Sequence, residues 1–503
     1  MNKFKNFILS FINIIGLIIF AIIGYMAYTS TLINIDYTDE YPTLVKDNIF
    51  INILVILLTL VIFYLINKLI NKFINKINTN ALLIIVTILI VLISIIWIKS
   101  SNTAPTADQY TCAYFAHYFN EGNYFGLNKG EYVAIYTQQL GLISLLRIIF
   151  SLFGDYNYRA FQIINALALG LLVISGDMLI RNMHFNINKK KTEVYYLLLM
   201  LLCIPLYIYT DFVYGEILTI AFMFLTMWML LAYLSKHKWY NLLICLLSGT
   251  ISCLVRRNTI IFIIACALIL IIKAIIEHNR YVISSLVTII LAGLLSFVIP
   301  SIQYGKYIPH DSKSMPATLH IAMGLQGEAG WYNSYNYETY KYLDYDSIEA
   351  NKWAKDSINE SLATFSKDKE KALNFFYQKI NSQWNVPMFQ CLIMNHEFNG
   401  NPGHLASLIY EGSINNILNI VSNYYHLFII TTCFIFVIYS FKNRKQLLLE
   451  DYIFLVFIIG GFLFSIMWEA KARYILPYFV AMIPYSAITI DLLLNKVGNK
   501  RHE

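Results

Sequence analysis

Charge is what this sequence lacks. Only 13% of its 503 residues are Asp, Glu, Lys or Arg, and 58% are hydrophobic. That balance is too apolar for a soluble enzyme and ordinary for a polytopic membrane protein. Metal-binding patterns are also missing: no CxxC or His-rich spacing occurs, and His117, His310 and His404 make no ligand set. The seven cysteines are scattered, mostly inside apolar runs, which argues against a disulfide framework and leaves only Cys112 and Cys391 as extracytoplasmic partners. The net charge of +7 comes from lysines and arginines flanking apolar segments, so it makes no case for nucleic acid.

What the chain does have is repeated apolar stretches of roughly 18–25 residues, long enough to cross a ~30 Å hydrocarbon layer as helices. The first, within Met1 to Tyr28, follows Lys3 and Lys5 like a signal peptide. It is too long for one and has no small-x-small cleavage site, so it reads as a retained helix. Basic clusters then mark alternate turns: Lys68, Lys72 and Lys76; Arg181 with Lys189 to Lys191; Lys236 and Lys238; Lys273 and Arg280; Lys442, Arg444 and Lys445; and Lys496, Lys500 and Arg501. Placing these in the cytoplasm predicts twelve spans with both ends inside, at 7–28, 49–67, 81–98, 160–180, 194–209, 217–235, 241–255, 259–276, 282–300, 416–440, 452–468 and 474–494. The expected class is an all-α polytopic membrane protein. It divides into an N-terminal transmembrane hairpin (1–80), a transmembrane core (81–300) with a large outer loop (99–159), a small, mainly helical extracytoplasmic domain (301–413) and C-terminal transmembrane helices (414–503). Within the outer loop, "QQLGLISLLRIIFSLFGD" is apolar on one face and reads as a helix lying in the interface.

This threading collects unusual residues on the outer face. Asp108, in "PTADQY", sits at the mouth of the third span. Asp211 and Glu216 occupy "YTDFVYGEI", the tight turn between the fifth and sixth spans, and Arg256 and Arg257 join two apolar spans with almost no loop. "WEAKARYILPY" carries Glu469, Lys471 and Arg473 into the last span. Charges this close to hydrocarbon are costly unless they pair, face a cavity or meet a polar ligand. Each has a plainer reading: Asp108 as a solvated loop acid, Asp211 and Glu216 as helix caps, Arg256 and Arg257 as a snorkelling pair. Lys471 and Arg473 equally read as partners of Glu469, and the Tyr-rich run from Trp331 to Asp346 reads as a sugar-stacking surface or as an ordinary surface shaped by coding bias.

One chemistry needs the whole set: transfer of a group from a lipid-phosphate donor. Its leaving group is an anion held at membrane depth, which arginine forks suit. An acceptor hydroxyl needs a positioned carboxylate to take its proton. A transporter would instead show ionisable groups or broken helices near mid-membrane.

With these residues in view, the chain resembles the GT-C glycosyltransferase superfamily, near its dolichyl-phosphate-mannose–protein mannosyltransferase-like (family 39) branch in low-GC Gram-positive bacteria. The resemblance runs over roughly residues 80 to 495. It rests on "DQYTCAYFAHYFNEGNY", "YTDFVYGE", "RRN", "MPATLHIAMGLQGEAGWYN", "FFYQKINSQWNVP" and "WEAKARYILPY" in that order. It implies a polyprenyl-phosphate monosaccharide as donor and inversion at the anomeric centre. Asp108 would be the general base, and Glu216, with Asp211 second, would position the acceptor. Arg256, Arg257, Lys471 and Arg473 would take the donor phosphate, and Gln109, Tyr110, Trp331 and Glu469 the acceptor or sugar. No cofactor is expected, and the outer loops carry no convincing acidic metal set, although some relatives use a divalent ion. The expected partners are membrane lipid, a cell-surface polymer such as a teichoic acid or wall polysaccharide, and an enzyme that makes the donor. The chain departs from the pattern in two places: Gln109 stands where many relatives have Glu, and an extra hairpin precedes the core. A flippase for lipid-linked sugars and a non-catalytic envelope assembly protein are the rival readings.

Overall fold

The structure is a computed structural model in which residues 2–34, 40–74, 76–410 and 412–499 are described. Lys500 and Arg501 of the expected closing cluster lie outside them. The chain is an all-α polytopic membrane protein. Its long helices are α1 (Asn2–Thr29), α2 (Ile49–Phe73), α3 (Thr79–Ser101), α4 (Ala107–Asn120), α5 (Leu140–Phe153), α6 (Tyr158–Asn182), α7 (Lys189–Leu202), α8 (Ile204–Ile208), α9 (Glu216–Lys236) and α10 (Trp239–Val255). They continue with α11 (Ile260–Glu277), α12 (Arg280–Tyr304), α13 (Ala317–Gly324), α14 (Ser347–Lys367), α15 (Lys369–Trp384), α16 (Ser413–Asn443), α17 (Ile453–Met467) and α18 (Leu476–Asn499).

Every segment expected to span is helical, but twelve is not the count that length and composition support. Among the described residues, ten helices are long and apolar enough to cross a membrane. An eleventh arises if α7 and the following stretch Ile204–Asp211, bent by 58° at a short break, are taken as one span. The expected segment 241–255 is α10, a 17-residue helix. At 1.5 Å per residue it reaches only about 25 Å. Extended backbone at Arg256 (φ −139°) stops it there.

Asparagine, abundant in this sequence, starts several of the helices. The side chains of Asn48, Asn78, Asn188 and Asn279 each accept from backbone N–H groups two or three residues on. Such caps satisfy donors that the helix itself leaves free. The core of the bundle is mostly apolar but also buries charged groups such as Asp177, Asp451 and the Lys273–Glu450 pair, with α18 almost wholly buried as far as Leu494 and α2 mostly exposed along its apolar length. That exposure is what a peripheral, lipid-facing helix requires.

Between α1 and α2 the chain makes an antiparallel ribbon, β1 (Ser30–Ile33) paired with β2 (Thr43–Lys46) in the register Ser30–Lys46 to Ile33–Thr43. The amide of Leu32 donates to the Asn385 carbonyl at 3.1 Å, and the Asn385 side chain donates to Ser30 O at 2.8 Å. The ribbon is thereby fixed to the 301–413 segment. In that segment Met315, Leu319, Ala322, Tyr340, Ala350 and Ala354 form a small core together with Ile135 of the 99–159 loop. The later part of the segment, including Trp384, Phe389 and Cys391, is buried with the bundle. Cys112 and Cys391 are both buried free thiols. In α5, Leu142, Ile143, Leu146, Ile149 and Phe150 are buried while Ile148, Leu152 and Phe153 are exposed, the one-sided pattern of an interfacial helix. Arg147 does not break it: its Nε donates to Asn120 Oδ1 at 3.1 Å and its guanidinium lies over Tyr124 and Tyr304.

Candidate functional site

The turns after α3, before α9 and after α10 meet through Asp108, Tyr214 and Arg256. After α3 the chain turns through Asn102 in the left-handed conformation, then Pro105, then Ala107 at φ +43°. A left-handed alanine is strained, and here it swings α4 so that Asp108 lies in the first helical turn. Asp108 is half-buried, not a freely solvated acid. Its Oδ1 accepts from the Tyr132 hydroxyl and its Oδ2 from the Tyr214 hydroxyl, both at 2.9 Å. An ionised carboxylate offers about four lone-pair sites, so two hydroxyls fix its orientation and leave room for a third donor. The next residue, Gln109, is buried and ties layers together. Its Oε1 accepts from the Val213 amide at 2.8 Å and its Nε2 donates to Met394 O at 3.1 Å.

The turn Phe212–Gly215 delivers Tyr214. Gly215 has φ +92°, and a Cβ there would stand 2.3 Å from Val255 Cγ1, so only glycine lets this turn approach the end of α10. The approach brings Glu216 to Arg256, with Oε1 and Nη2 3.0 Å apart and the acid 4% exposed. Tyr214 is the hub. Its hydroxyl serves Asp108 and accepts from Gln139 Nε2, while its ring lies 4.5 Å from the Arg256 guanidinium carbon and 5.2 Å from that of Arg473.

Arg473 differs from Arg256 and Lys471, which both touch carboxylates. It is 7% exposed, and among the described residues no carboxylate lies within ion-pair distance of it. Its surroundings are the rings of Phe212, Tyr214 and Tyr474 and the sulfur of Met394, and its Nε has no hydrogen-bond partner. Lys471, by contrast, is held between Glu40 (2.9 Å) and Glu469 (3.2 Å) and sits 5.2 Å from the Tyr332 ring centre. Burial pulls its ammonium down, but the two carboxylates outweigh this and raise it above the ordinary lysine value. Burial pushes Glu40 up, yet Lys471 and Arg473 more than offset that and hold it below the ordinary range. The charge of Asp108 also reaches Glu40.

The motif carrying these cations is anchored from the 301–413 segment. Lys379, fully buried on α15, donates to Gly324 O and, at 2.7 Å, to Trp468 O. The amide of Ala470 donates to Gly330 O at 2.8 Å. Burial without a carboxylate partner pushes the Lys379 amine down to about 7, a fall that Glu469 limits only in part.

The structure thus brings together Asp108, Glu216, Arg256, Glu469, Lys471 and Arg473. Other expected site residues stand elsewhere. Arg257 turns away from Arg256: its Nη1 donates to Ser296 O at 2.9 Å and its guanidinium lies 4.0 Å over Phe297. Asp211 is buried behind the turn, accepting from Asn395 Nδ2 at 2.6 Å. Tyr110 is half exposed beside Tyr114. Trp331 donates from Nε1 to Ser382 and its ring packs on Tyr41. Tyr132, Gln139, Tyr214 and Glu40 were not expected. Tyr214 lay inside a motif already singled out, and Glu40 lies in the acidic stretch "DYTDEYP" between the first two spans. Those were the available signals. Among the described residues, no three His, Cys, Asp or Glu side chains come together as a metal set.

No family model matches the chain, and no curated protein does. Among solved structures, the crystal structure of ArnT from Cupriavidus metallidurans bound to undecaprenyl phosphate is similar. It shares 11% identity, the match covers 81% of this chain and 77% of that one, and the TM-score is 0.34. A superposition that loose transfers no residue and no ligand to this chain.

Proposed function

We propose that this chain is a membrane glycosyltransferase. It moves a monosaccharide from a polyprenyl-phosphate donor to a hydroxyl of an extracytoplasmic acceptor, a cell-surface glycopolymer, with inversion. A single observation carries this reading. Arg473, a buried guanidinium with no carboxylate within ion-pair distance among the described residues, shares the Tyr214 ring with Arg256, and the hydroxyl of that ring holds Asp108. A buried unpaired charge is expensive, and an anionic ligand would remove the penalty.

In this mechanism the acceptor hydroxyl donates to the free lone pair of Asp108, which takes its proton as the oxygen attacks the anomeric carbon. The bond from that carbon to the donor's phosphate oxygen breaks, and polyprenyl phosphate departs. Arg473 receives the charge developing on it, with Arg256 beside it on the same ring. Proton removal by a positioned carboxylate contributes roughly 10²–10⁴-fold, and stabilising the leaving anion in a dry site is the companion effect. Glu216 keeps Arg256 in place, and Lys471 and Glu469 line the far side. The donor is made elsewhere, so a partner enzyme supplying polyprenyl-phosphate sugar is part of this reading.

The test is transfer in proteoliposomes loaded with a polyprenyl-phosphate sugar and envelope glycopolymer, comparing wild type with Asp108→Asn. Loss of transfer with intact membrane insertion and an intact unfolding transition supports a transferase. Sugar lipid crossing the bilayer in both proteins, with no product in either, would replace it with a flippase.

A further inference from the structure

The stretch "MPATLHIAMGLQGEAGWYN" carries one histidine, His320, on α13. Two contacts fix where α13 lies. Just before its start, the Met315 amide donates to Ile135 O at 3.1 Å, which sets the helix beside Tyr136. At its end, Gly324 packs so closely on the 467–468 backbone that a Cβ would stand 2.6 Å from Met467 O. His320 is thereby held between two rings. It stacks on Trp468 with centroids 4.9 Å apart and planes 17° apart, and its centroid lies 6.5 Å from that of Tyr136. Tyr136 in turn is 5.0 Å from Tyr132, whose hydroxyl holds Asp108. A row of rings thus runs from the clamp on Asp108 to Trp468, the residue before Glu469.

The proton on the imidazole is fixed by a neighbour. Asn336 is buried, and its Oδ1 accepts from the Tyr337 amide at 2.9 Å. The atom 3.1 Å from His320 Nδ1 is therefore the amide nitrogen, which only donates. Nδ1 must accept, so the neutral ring carries its proton on Nε2. Burial holds the imidazole below its ordinary value although Glu469 pulls the other way, so the ring is neutral at neutral pH. Burial, then Tyr332, Asp108, Tyr337 and Glu469, raises the Tyr136 phenol, which keeps its proton too. Among the described residues, nothing accepts from His320 Nε2 and nothing bonds the Tyr136 hydroxyl. Both side chains are only partly buried.

Two neutral donors next to carboxylates complement a hydroxyl. A hydroxyl has one proton to give and two lone pairs to fill. A carboxylate takes the proton, and neutral donors fill the lone pairs. Phosphate is better served by the guanidiniums of Arg256 and Arg473 on the Tyr214 ring.

Resting on the glycosyl-transfer reading above, we propose that His320 and Tyr136 are binding residues of the site, donating from Nε2–H and the phenol to a sugar hydroxyl whose own proton is directed to a carboxylate. Asn336 is then a positioning residue, because it sets the tautomer that His320 needs. The hydroxyl belongs to the acceptor or to the donor's monosaccharide.

The experiment measures binding to the purified full-length chain in nanodiscs, using sugar-free polyprenyl phosphate, a polyprenyl-phosphate hexose and short wall oligosaccharides. His320→Phe and Tyr136→Phe keep the rings and delete the donors, and His320→Gln puts an amide N–H near the place of Nε2–H. Arg473→Ala is the contrast, and thermal unfolding checks the fold. The expected result is a loss of about tenfold or more in affinity for sugar-bearing ligands in the two Phe variants. Sugar-free polyprenyl phosphate should bind as to wild type, and His320→Gln should recover most of the loss. A loss confined to the oligosaccharides assigns the hydroxyl to the acceptor; one confined to the lipid-linked hexose assigns it to the donor. In ¹⁵N-histidine spectra of wild type, the resonances absent from His320→Gln should report a proton on Nε2. A proton on Nδ1 overturns the proposal, as does wild-type affinity for every sugar ligand in both folded Phe variants. An equal loss for sugar-free polyprenyl phosphate, or a wild-type chain that binds no sugar, does the same. Failure of Arg473→Ala to weaken polyprenyl phosphate binding would instead count against the transferase reading and leave the two donors standing.

Discussion

The Arg473 guanidinium carbon lies 5.2 Å from the centre of the Tyr214 ring, and the hydroxyl of that ring donates to Asp108 at 2.9 Å. One tyrosine therefore joins the cation that would meet a leaving phosphate to the carboxylate that would take a proton. Its ring and its hydroxyl can be removed separately.

Tyr214→Phe keeps the ring beside Arg256 and Arg473 and deletes the hydrogen bonds to Asp108 and Gln139. A hydrogen bond to a charged group is worth about 1.5–3 kcal/mol. The expected outcome is a fall in kcat of roughly ten- to a hundred-fold with the KM for donor little changed. Steady-state transfer kinetics against donor concentration read both values. Tyr214→Leu, which also removes the ring, should raise KM as well.

Asp108→Asn keeps the shape of the side chain and one acceptor oxygen for the Tyr132 or the Tyr214 hydroxyl, while its NH2 faces the other as a donor. It cannot take a proton. Transfer should drop by at least about 10²-fold while the unfolding temperature stays within a few degrees of wild type. Product formation by mass spectrometry and a thermal scan on the same preparation decide this.

Arg256 and Arg473 should part company in stability. Arg256→Ala strands the buried Glu216, and breaking a buried ion pair from one side costs about 3–5 kcal/mol. Arg473→Leu removes a buried charge that no carboxylate of the described residues contacts directly. It should leave the ligand-free protein as stable as wild type or more so, while weakening polyprenyl phosphate binding by at least about tenfold. Arg473→Lys, lacking the planar fork, should recover only part of that binding. Arg257→Ala loses its contacts to Ser296 and Phe297, so it should lower stability by about 1–2 kcal/mol with transfer per folded molecule within twofold of wild type. Chemical unfolding with and without polyprenyl phosphate separates these cases.

Lys379 predicts a pH dependence. Its amine is pushed down to about 7 in the fold, against an ordinary value of 10.5. Below pH 7 folded and unfolded chains both carry the proton, and the burial penalty is fully in place. As pH rises past 7 the folded chain releases it first, the unfolded chain then holds more protons, and stability climbs until the unfolded amine also titrates. Between pH 7 and 9 the gain should be on the order of 1–3 kcal/mol. Lys379→Met should flatten this slope, at the cost of leaving the Gly324 and Trp468 carbonyls without their donor. Unfolding midpoints across pH 6 to 9 for both proteins measure it.

The helices were legible because a span declares itself by length and hydropathy alone. The end of α10 was legible too, since the expected segment 241–255 stops where extended Arg256 stops the helix, whereas the 58° bend inside the expected segment 194–209 was not. Charged residues at the ends of spans were legible as a group, because charge at the edge of hydrocarbon needs a reason. Their pairing was not. Glu216 reaches Arg256 only because Gly215 lets two turns touch, and Arg257, one residue further, faces another helix. The tyrosine clamp on Asp108 was hidden by the abundance of tyrosine itself, which left Tyr132 and Tyr214 indistinguishable from 36 others. Glu40 was out of reach because nothing local in "DYTDEYP" points to a lysine near the far end of the chain.

That last pairing has a consequence for how the molecule comes into being. The site is stitched from segments as distant as Glu40 and Arg473, and the partners of the early ones are synthesised last. At a ribosomal pace of 5–20 residues per second, Glu40 waits roughly 20–90 s for Lys471 to emerge. During that interval Asp108, Glu216 and Arg256 are already placed while the 468–473 motif does not exist, so activity can begin only after the final helix has been inserted. A nascent chain stalled before Trp468 would hold most of the membrane bundle and only the Asp108, Glu216 and Arg256 part of the site.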